Sequence, residues 1–245
     1  MQVIKEEKKN NEFGLNLEEM TQAGLYLGHK TSRTHPKMKP YITGERNNIH
    51  IIDLEKTIEM FEKALKFIKK LISEGKVLLF IGTKIQAKNL VKETAQACGL
   101  PYINERWLGG TFTNFETIKK RLANFKELEN KKTTGDLEKY TKKERAKIDK
   151  TLRDLEVKFG GIKNLEKLPD AIFVLDMKKD ILAVKEAINK EVFVIAIADA
   201  DSDPSLTDYL IPANDDAISS IKYILEKVKE VVLKNKPKNT EELKD

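Results

Sequence analysis

The sequence is short of the features that would place it outside a reducing, aqueous compartment. Its one cysteine, Cys98, excludes an internal disulfide and any cysteine-rich metal finger. The longest apolar run, residues 192–198, is too short to cross a bilayer and suits a buried strand. The opening MQVIKEEKKNNEF has neither an apolar signal core nor the Arg-rich, acid-poor character of an organellar transit peptide, so no address is expected there. There is no GxxxxGK[ST] loop and no GxGxxG turn, which removes the specific nucleotide signatures. The three histidines, His29, His35 and His50, crowd one N-terminal region. No nucleophile elbow answers them elsewhere, and with Cys98 they make no recognised zinc spacing.

What is present in quantity is charge. The 245 residues hold 45 basic and 39 acidic side chains, a net +6, so the surplus is modest and its meaning depends on where it gathers. Five short apolar runs read as strands: residues 49–52, 77–81, 171–175, 192–198 and 209–211. They are continuous rather than alternating, as in strands buried on both faces, and helical periodicity fills several of the gaps between them. The expected core is a doubly wound α/β domain, a mostly parallel sheet with helices on both faces. A helix is expected after Asp53, with Leu54, Ile58, Phe61, Leu65, Ile68 and Ile72 on its inner face and Gly75 as its stop. Further helices are expected over residues 84–98, along Leu182, Val184, Ala187 and Ile188, and from Asn214 onward through Ile218, Ile221, Leu225, Val228 and Val232.

Residues 114–159 contain no strand candidate. Phe115, Ile118, Leu122, Phe125 and Leu128 make one apolar seam, and Ile148, Leu152, Leu155 and Phe159 another, with a break at Thr133-Thr134-Gly135-Asp136. Narrow seams on otherwise charged helices predict a protruding antiparallel coiled-coil hairpin. The expected organisation is therefore a discontinuous globular domain over 1–112 and 160–234, a hairpin over 113–159, and a disordered tail over 235–245.

Residues 29–48, HKTSRTHPKMKPYITGERNN, set Lys30, Arg33, Lys37, Lys39 and Arg46 against one acid, Glu45, with Pro36 and Pro40 expected to keep the backbone extended. Such a segment can follow phosphates, and its histidines and Tyr41 suit irregular RNA; it can equally be an ordinary exposed loop. In NERWLGGTFTN, the lone Trp107 suits an anchor between domain and hairpin beside Arg106. Gly82-Thr83-Lys84 ends a strand where doubly wound folds hold phosphate, so Lys84 could take an RNA phosphate or merely cap a helix. Asp176, Asp199, Asp201 and Asp203 lie beyond strand ends. They could hold a divalent cation for phosphate chemistry, or could be turn residues bonding nearby amides.

In order, AGLYLGHKTSRTHPKMKPYI, GERNNIHIIDLEKT, FIGTKIQA, NERWLGGTFTNFETI, TKKE, the GGI at 160–162, LPDAIFVLDMKKD and IPANDDAI resemble the bacterial-type ribosomal protein S-two family, from about Met20 to Val232. The resemblance implies the same α/β domain and hairpin, and a non-enzymatic constituent of the small ribosomal subunit in the cytoplasm. It further implies contact with small-subunit ribosomal RNA between head and body, with neighbouring ribosomal proteins, and with ribosomal protein S-one, whose recruitment it aids. No cofactor, small-molecule substrate or membrane partner is expected. The long hairpin implies a bacterial form. The RNA-contact residues expected on this reading are Lys30, Arg33, Lys37, Lys39, Arg46, Lys84 and Arg106, with the hairpin as a further contact. Two departures stand out: Tyr26 replaces a frequent histidine, and DADSDP replaces a frequent DTNSDP, which leaves a cation at that loop undecided.

Overall fold

The computed structural model describes residues 12–236, so the N-terminal 11 residues and all but the start of the expected tail lie outside it. Asn235, assigned to that tail, is the last helical residue. The chain begins with α1 (Leu17–Gln22), β1 (Leu27–Lys30), a 3-10 turn at Pro36–Tyr41, β2 (Ile42–Arg46) and β3 (Ile49–Ile52). These three strands form their own antiparallel sheet in the order β1-β3-β2. The expectation that residues 49–52 join the parallel sheet is thereby corrected: the run is interrupted by His50 and only Ile52 is buried, whereas β4 and β6 of the parallel sheet are buried throughout. Pro36 and Pro40 also do not hold an extended backbone; both sit in the 3-10 turn, which Pro36 can start because its missing N–H has no partner to lose there.

Next come α2 (Leu54–Ser73), β4 (Leu78–Ile81), α3 (Lys88–Cys98), β5 (Tyr102–Ile103), α4 (Phe115–Thr133) and α5 (Lys142–Phe159). The chain ends with β6 (Ala171–Val174), α6 (Ile181–Asn189), β7 (Phe193–Ala198), β8 (Tyr209–Pro212) and α7 (Ile218–Asn235). The parallel sheet runs β5-β4-β6-β7-β8, so the winding reverses between β4 and β6. That is where folds of this kind open a crevice at the carboxyl ends of their strands.

Alternate residues of each strand feed two cores. Leu78, Phe80, Phe173, Ile195 and Ile197 pack with α2, α3 and α7; Leu79, Ile81, Ile172, Val174 and Ala196 pack with α6 and with the α4–α5 pair. The expectation of helices on both faces holds. Asp53 caps α2, its side chain accepting from the amides of Glu55 at 3.1 Å and Lys56 at 3.4 Å. Two helices start later than expected: α3 at Lys88 rather than 84, after a turn, and α7 at Ile218, with Ile218 itself exposed. On α6 the inner face is Ala183, Val184, Glu186 and Ala187, while Leu182 and Ile188 are exposed.

The two long helices of the middle region stand where the seams place them. Thr141 and Glu144 form a capping box at the start of α5. Lys132 reaches from α4 to Asp149 on α5 at 2.7 Å, and Lys163 pairs with Glu129. Ile118, Leu122, Phe125, Leu152 and Phe159 are buried in one cluster with Trp107, Phe112 and Ile162, so the pair is rooted in the second core. Gly161 makes the return possible: a Cβ there would collide with the Tyr102 carbonyl oxygen.

Candidate functional site

At the winding reversal the side chains converge inward. Lys84 leaves the end of β4 and places its ammonium 3.0 Å from Asp176, 2.9 Å from Asp215 and 2.7 Å from Asp216. Beside it, Thr83 donates through N–H and Oγ1 to Asp180, at 3.2 and 2.8 Å. Gly82 lets these loops close, since a Cβ there would lie 2.7 Å from Val91 and 2.9 Å from Leu175. Lys84 is thus paired with carboxylates 92 to 132 residues away, unlike the exposed Lys30 and Arg33. It is a cation the fold consumes internally.

The small antiparallel sheet docks on this network. The His29 amide donates to Asp199 at 2.9 Å, its Nδ1 lies 2.8 Å from the other Asp199 oxygen, and its Nε2 lies 3.5 Å from Asp216. Gly28 is needed for the approach, because a Cβ would meet Asp199 Oδ1 at 3.0 Å and the His50 carbonyl at 3.2 Å. The hydrogen bond to Asp199, supported by Asp201 and Asp215 against the effect of burial, raises the His29 pKa to about 9. Burial and the neighbouring Asp176 push Asp215 up to about 7 despite Lys84. Burial works against the Lys84 charge, but its three carboxylates hold that pKa above the ordinary lysine value. Ligand atoms of His29, Asp199 and Asp215 lie within 4.8 Å of one another, and Lys84 and His29 already supply positive charge there. Of the acids singled out in the sequence, Asp176, Asp199 and Asp201 meet in this network. Asp203 turns away to cap the Pro204–Leu206 turn, bonding Ser205 and Lys37. The Ser205 hydroxyl foremost, with Lys37, lowers its pKa to about 2.

The basic segment presents the opposite arrangement. Lys30, Arg33, Lys39 and Arg46 are exposed and make no ion pair among the described residues, and the same holds for Arg106. Lys37 is exposed but engaged, at 2.6 Å from Ser205 Oγ and 3.3 Å from Asp203. The His35 amide donates to the Ala200 carbonyl at 2.8 Å, tying this segment to the end of β7.

In the hairpin region, expected as an RNA contact without named residues, sequence reasoning missed the concentration of charge. Residues 113–159 hold 14 basic and 9 acidic side chains, so a stretch of 47 residues carries five of the chain's six surplus charges. On α5, Lys143, Lys147 and Lys150 recur at helical spacing on one exposed face, and none is ion-paired among the described residues. Counting charge by segment would have found this in the sequence.

The family model for Ribosomal protein S2 matches residues 20–235. The chain belongs to the ribosomal protein S2 family. Members of this family are structural ribosomal proteins rather than enzymes, so the phosphate-chemistry reading of Asp176, Asp199 and Asp203 falls away. Small ribosomal subunit protein uS2 of Koribacter versatilis (strain Ellin345) is 46% identical over 218 residues, 89% of this chain and 72% of that protein. The protein of the same name from Acidobacterium capsulatum is 43% identical over 219 residues, 89% of this chain and 73% of that one. No helix among the described residues is long and apolar enough to cross a membrane.

Proposed function

We propose that the chain is built into the small ribosomal subunit as an RNA-binding scaffold, gripping ribosomal RNA through two separate cationic surfaces. One is the N-terminal segment, carrying Lys30, Arg33, Lys39 and Arg46, to which the exposed Arg106 is added. The other is the α4–α5 pair, read as a projecting coiled-coil hairpin. The observation that carries this reading is the sorting of charge. Lys84 and His29, at the crevice where such folds usually take a small ligand, are paired with the protein's own carboxylates, while Lys30, Arg33, Lys39, Arg46, Arg106, Lys143, Lys147 and Lys150 are exposed and make no ion pair among the described residues. The cavity left there, lined by His29, Asp176, Asp201 and Asp215, is about 170 Å³, small beside the roughly 300–1,000 Å³ of usual small-molecule sites. Unpaired lysines and arginines on rigid elements suit phosphates, whose counterions they release on binding.

The family resemblance supports a seat between head and body, contacts with neighbouring small-subunit proteins, a role in recruiting ribosomal protein S-one, and a cytoplasmic location with the ribosome. The test is co-sedimentation of the full chain with small subunits. Arg33→Ala, Lys39→Ala and Arg46→Ala combined is expected to lower incorporation while leaving thermal unfolding unchanged; incorporation at the normal level would count against the reading.

A further inference from the structure

Glu186 is a buried carboxylate with no cationic partner among the described residues. It stands on the inner face of α6, 6% exposed, where the sequence pattern would put an apolar residue. Its Oε1 accepts from the indole N–H of Trp107 at 3.2 Å and from the Gly110 amide at 2.8 Å. Its Oε2 accepts from the amides of Phe112 at 2.9 Å and Thr113 at 3.2 Å, and from the Thr113 hydroxyl at 3.3 Å. One side chain therefore takes five donors, all from the seven residues that run directly into α4. Gly110, at φ +88°, supplies the bend that turns these amides inward. Trp107 and Phe112 meet edge to face at 4.8 Å and close the loop over the carboxylate.

A buried negative charge is an expensive way to hold a loop unless its position matters, because a carboxylate accepts only and fixes every donor's direction. Burial opposes the charge, but the Phe112, Gly110 and Thr113 amides outweigh it and hold the Glu186 pKa below its usual value. The loop so fixed carries Arg106 at one end and the first turn of α4 at the other.

We propose that Glu186 is a positioning residue for RNA binding: by clamping residues 107–113 it sets the direction in which α4 leaves the body and the place of Arg106. This rests on the RNA-binding reading given above. Glu186 touches no RNA itself; its effect passes through Arg106 and the α4–α5 pair, at the two ends of the loop it clamps.

The sign of the effect separates this role from electrostatics. Glu186→Gln removes a negative charge from a protein that binds a polyanion, so charge alone tightens binding. It also turns an amide N–H₂ toward backbone N–H donors and loosens the clamp. In the full chain, hydrogen exchange at Gly110, Phe112 and Thr113 is expected to speed by about a hundredfold, with β6 and β7 protected as before. Affinity for purified small-subunit RNA at fixed salt is expected to fall by about tenfold. Trp107→Phe, which removes one donor and keeps the ring, is expected to show the same two changes in smaller measure, and serves if Glu186→Gln fails to fold. Faster exchange with equal or tighter RNA binding would overturn the proposal, since the clamp would then be structural only. Unchanged exchange would overturn the clamp itself. Wild-type protein that fails to bind the RNA would instead sink the RNA-binding reading, and with it the role assigned to Glu186, while the exchange result would still stand for the loop.

Discussion

The carboxyl end of the parallel sheet and the α4–α5 pair both abound in charge and use it in opposite ways. Around Lys84 the charges face one another: its ammonium, 13% exposed, sits among Asp176, Asp215 and Asp216, and His29 brings a second sheet onto Asp199. Along α5, Lys143, Lys147 and Lys150 face solvent. Buried charge of the first kind sets shape, because removing one member strands the rest in a poor solvent. Exposed charge of the second kind adds almost nothing to folding and stays available to a polyanion. Net charge alone cannot tell these apart.

The sharpest way to break the comparison is Lys84→Met. It leaves buried carboxylates without their cation and is expected to lower unfolding free energy by about 3–5 kcal/mol, read by denaturant titration. A loss below one would mean that the network is not what fastens these loops.

A smaller effect is expected from pH. The folded pKa of His29 is about 9, above the ordinary histidine value of 6.5, so its stabilising contribution is complete below pH 6.5 and is lost as pH rises through about 9. Asp215, at about 7 against 3.8, has the same sign over a lower window, favouring the folded state as pH falls through 7. Stability should therefore decline between pH 6.5 and 9.5, by roughly 1–2 kcal/mol from His29, and His29→Gln should flatten that decline in calorimetry. A slope that persists in the variant would assign it elsewhere.

The smallest effect on folding, and the largest on binding, is expected from Lys143→Ala, Lys147→Ala and Lys150→Ala together. The melting temperature should stay within about two degrees. The slope of log affinity for small-subunit RNA against log salt should fall by about three, near one per lysine. An unchanged slope would take α5 out of the RNA interface.

Much of the architecture was legible in the sequence. Continuous apolar runs at 171–175 and 192–198 announced strands buried on both faces, and the seams through Leu122 and Leu152 announced the two helices. What failed was information about partners. The run at 49–52 holds His50 and buries only Ile52 fully, and it pairs with Leu27–Lys30 and Ile42–Arg46 rather than with the parallel strands. Lys84 read as a phosphate contact because its acids arrive from residues 176, 215 and 216. Glu186 could not be suspected at all: among Lys185 and Glu191 it looks like one more solvated charge, and its donors belong to a loop over seventy residues earlier. Motif order carried the family, while the division between internally paired and exposed, unpaired cations needed the three-dimensional structure.

The outermost strands of the parallel sheet have one more consequence. Unpaired strand borders invite another chain to add on, the first step of aggregation. Here one border is only two residues long, Tyr102–Ile103, with Gly161 pressed against it. The other ends in Pro212, which has no amide hydrogen to offer and whose carbonyl already accepts from Thr57 Oγ1 at 2.6 Å. A copy of the chain standing alone thus offers few sticky borders to its siblings.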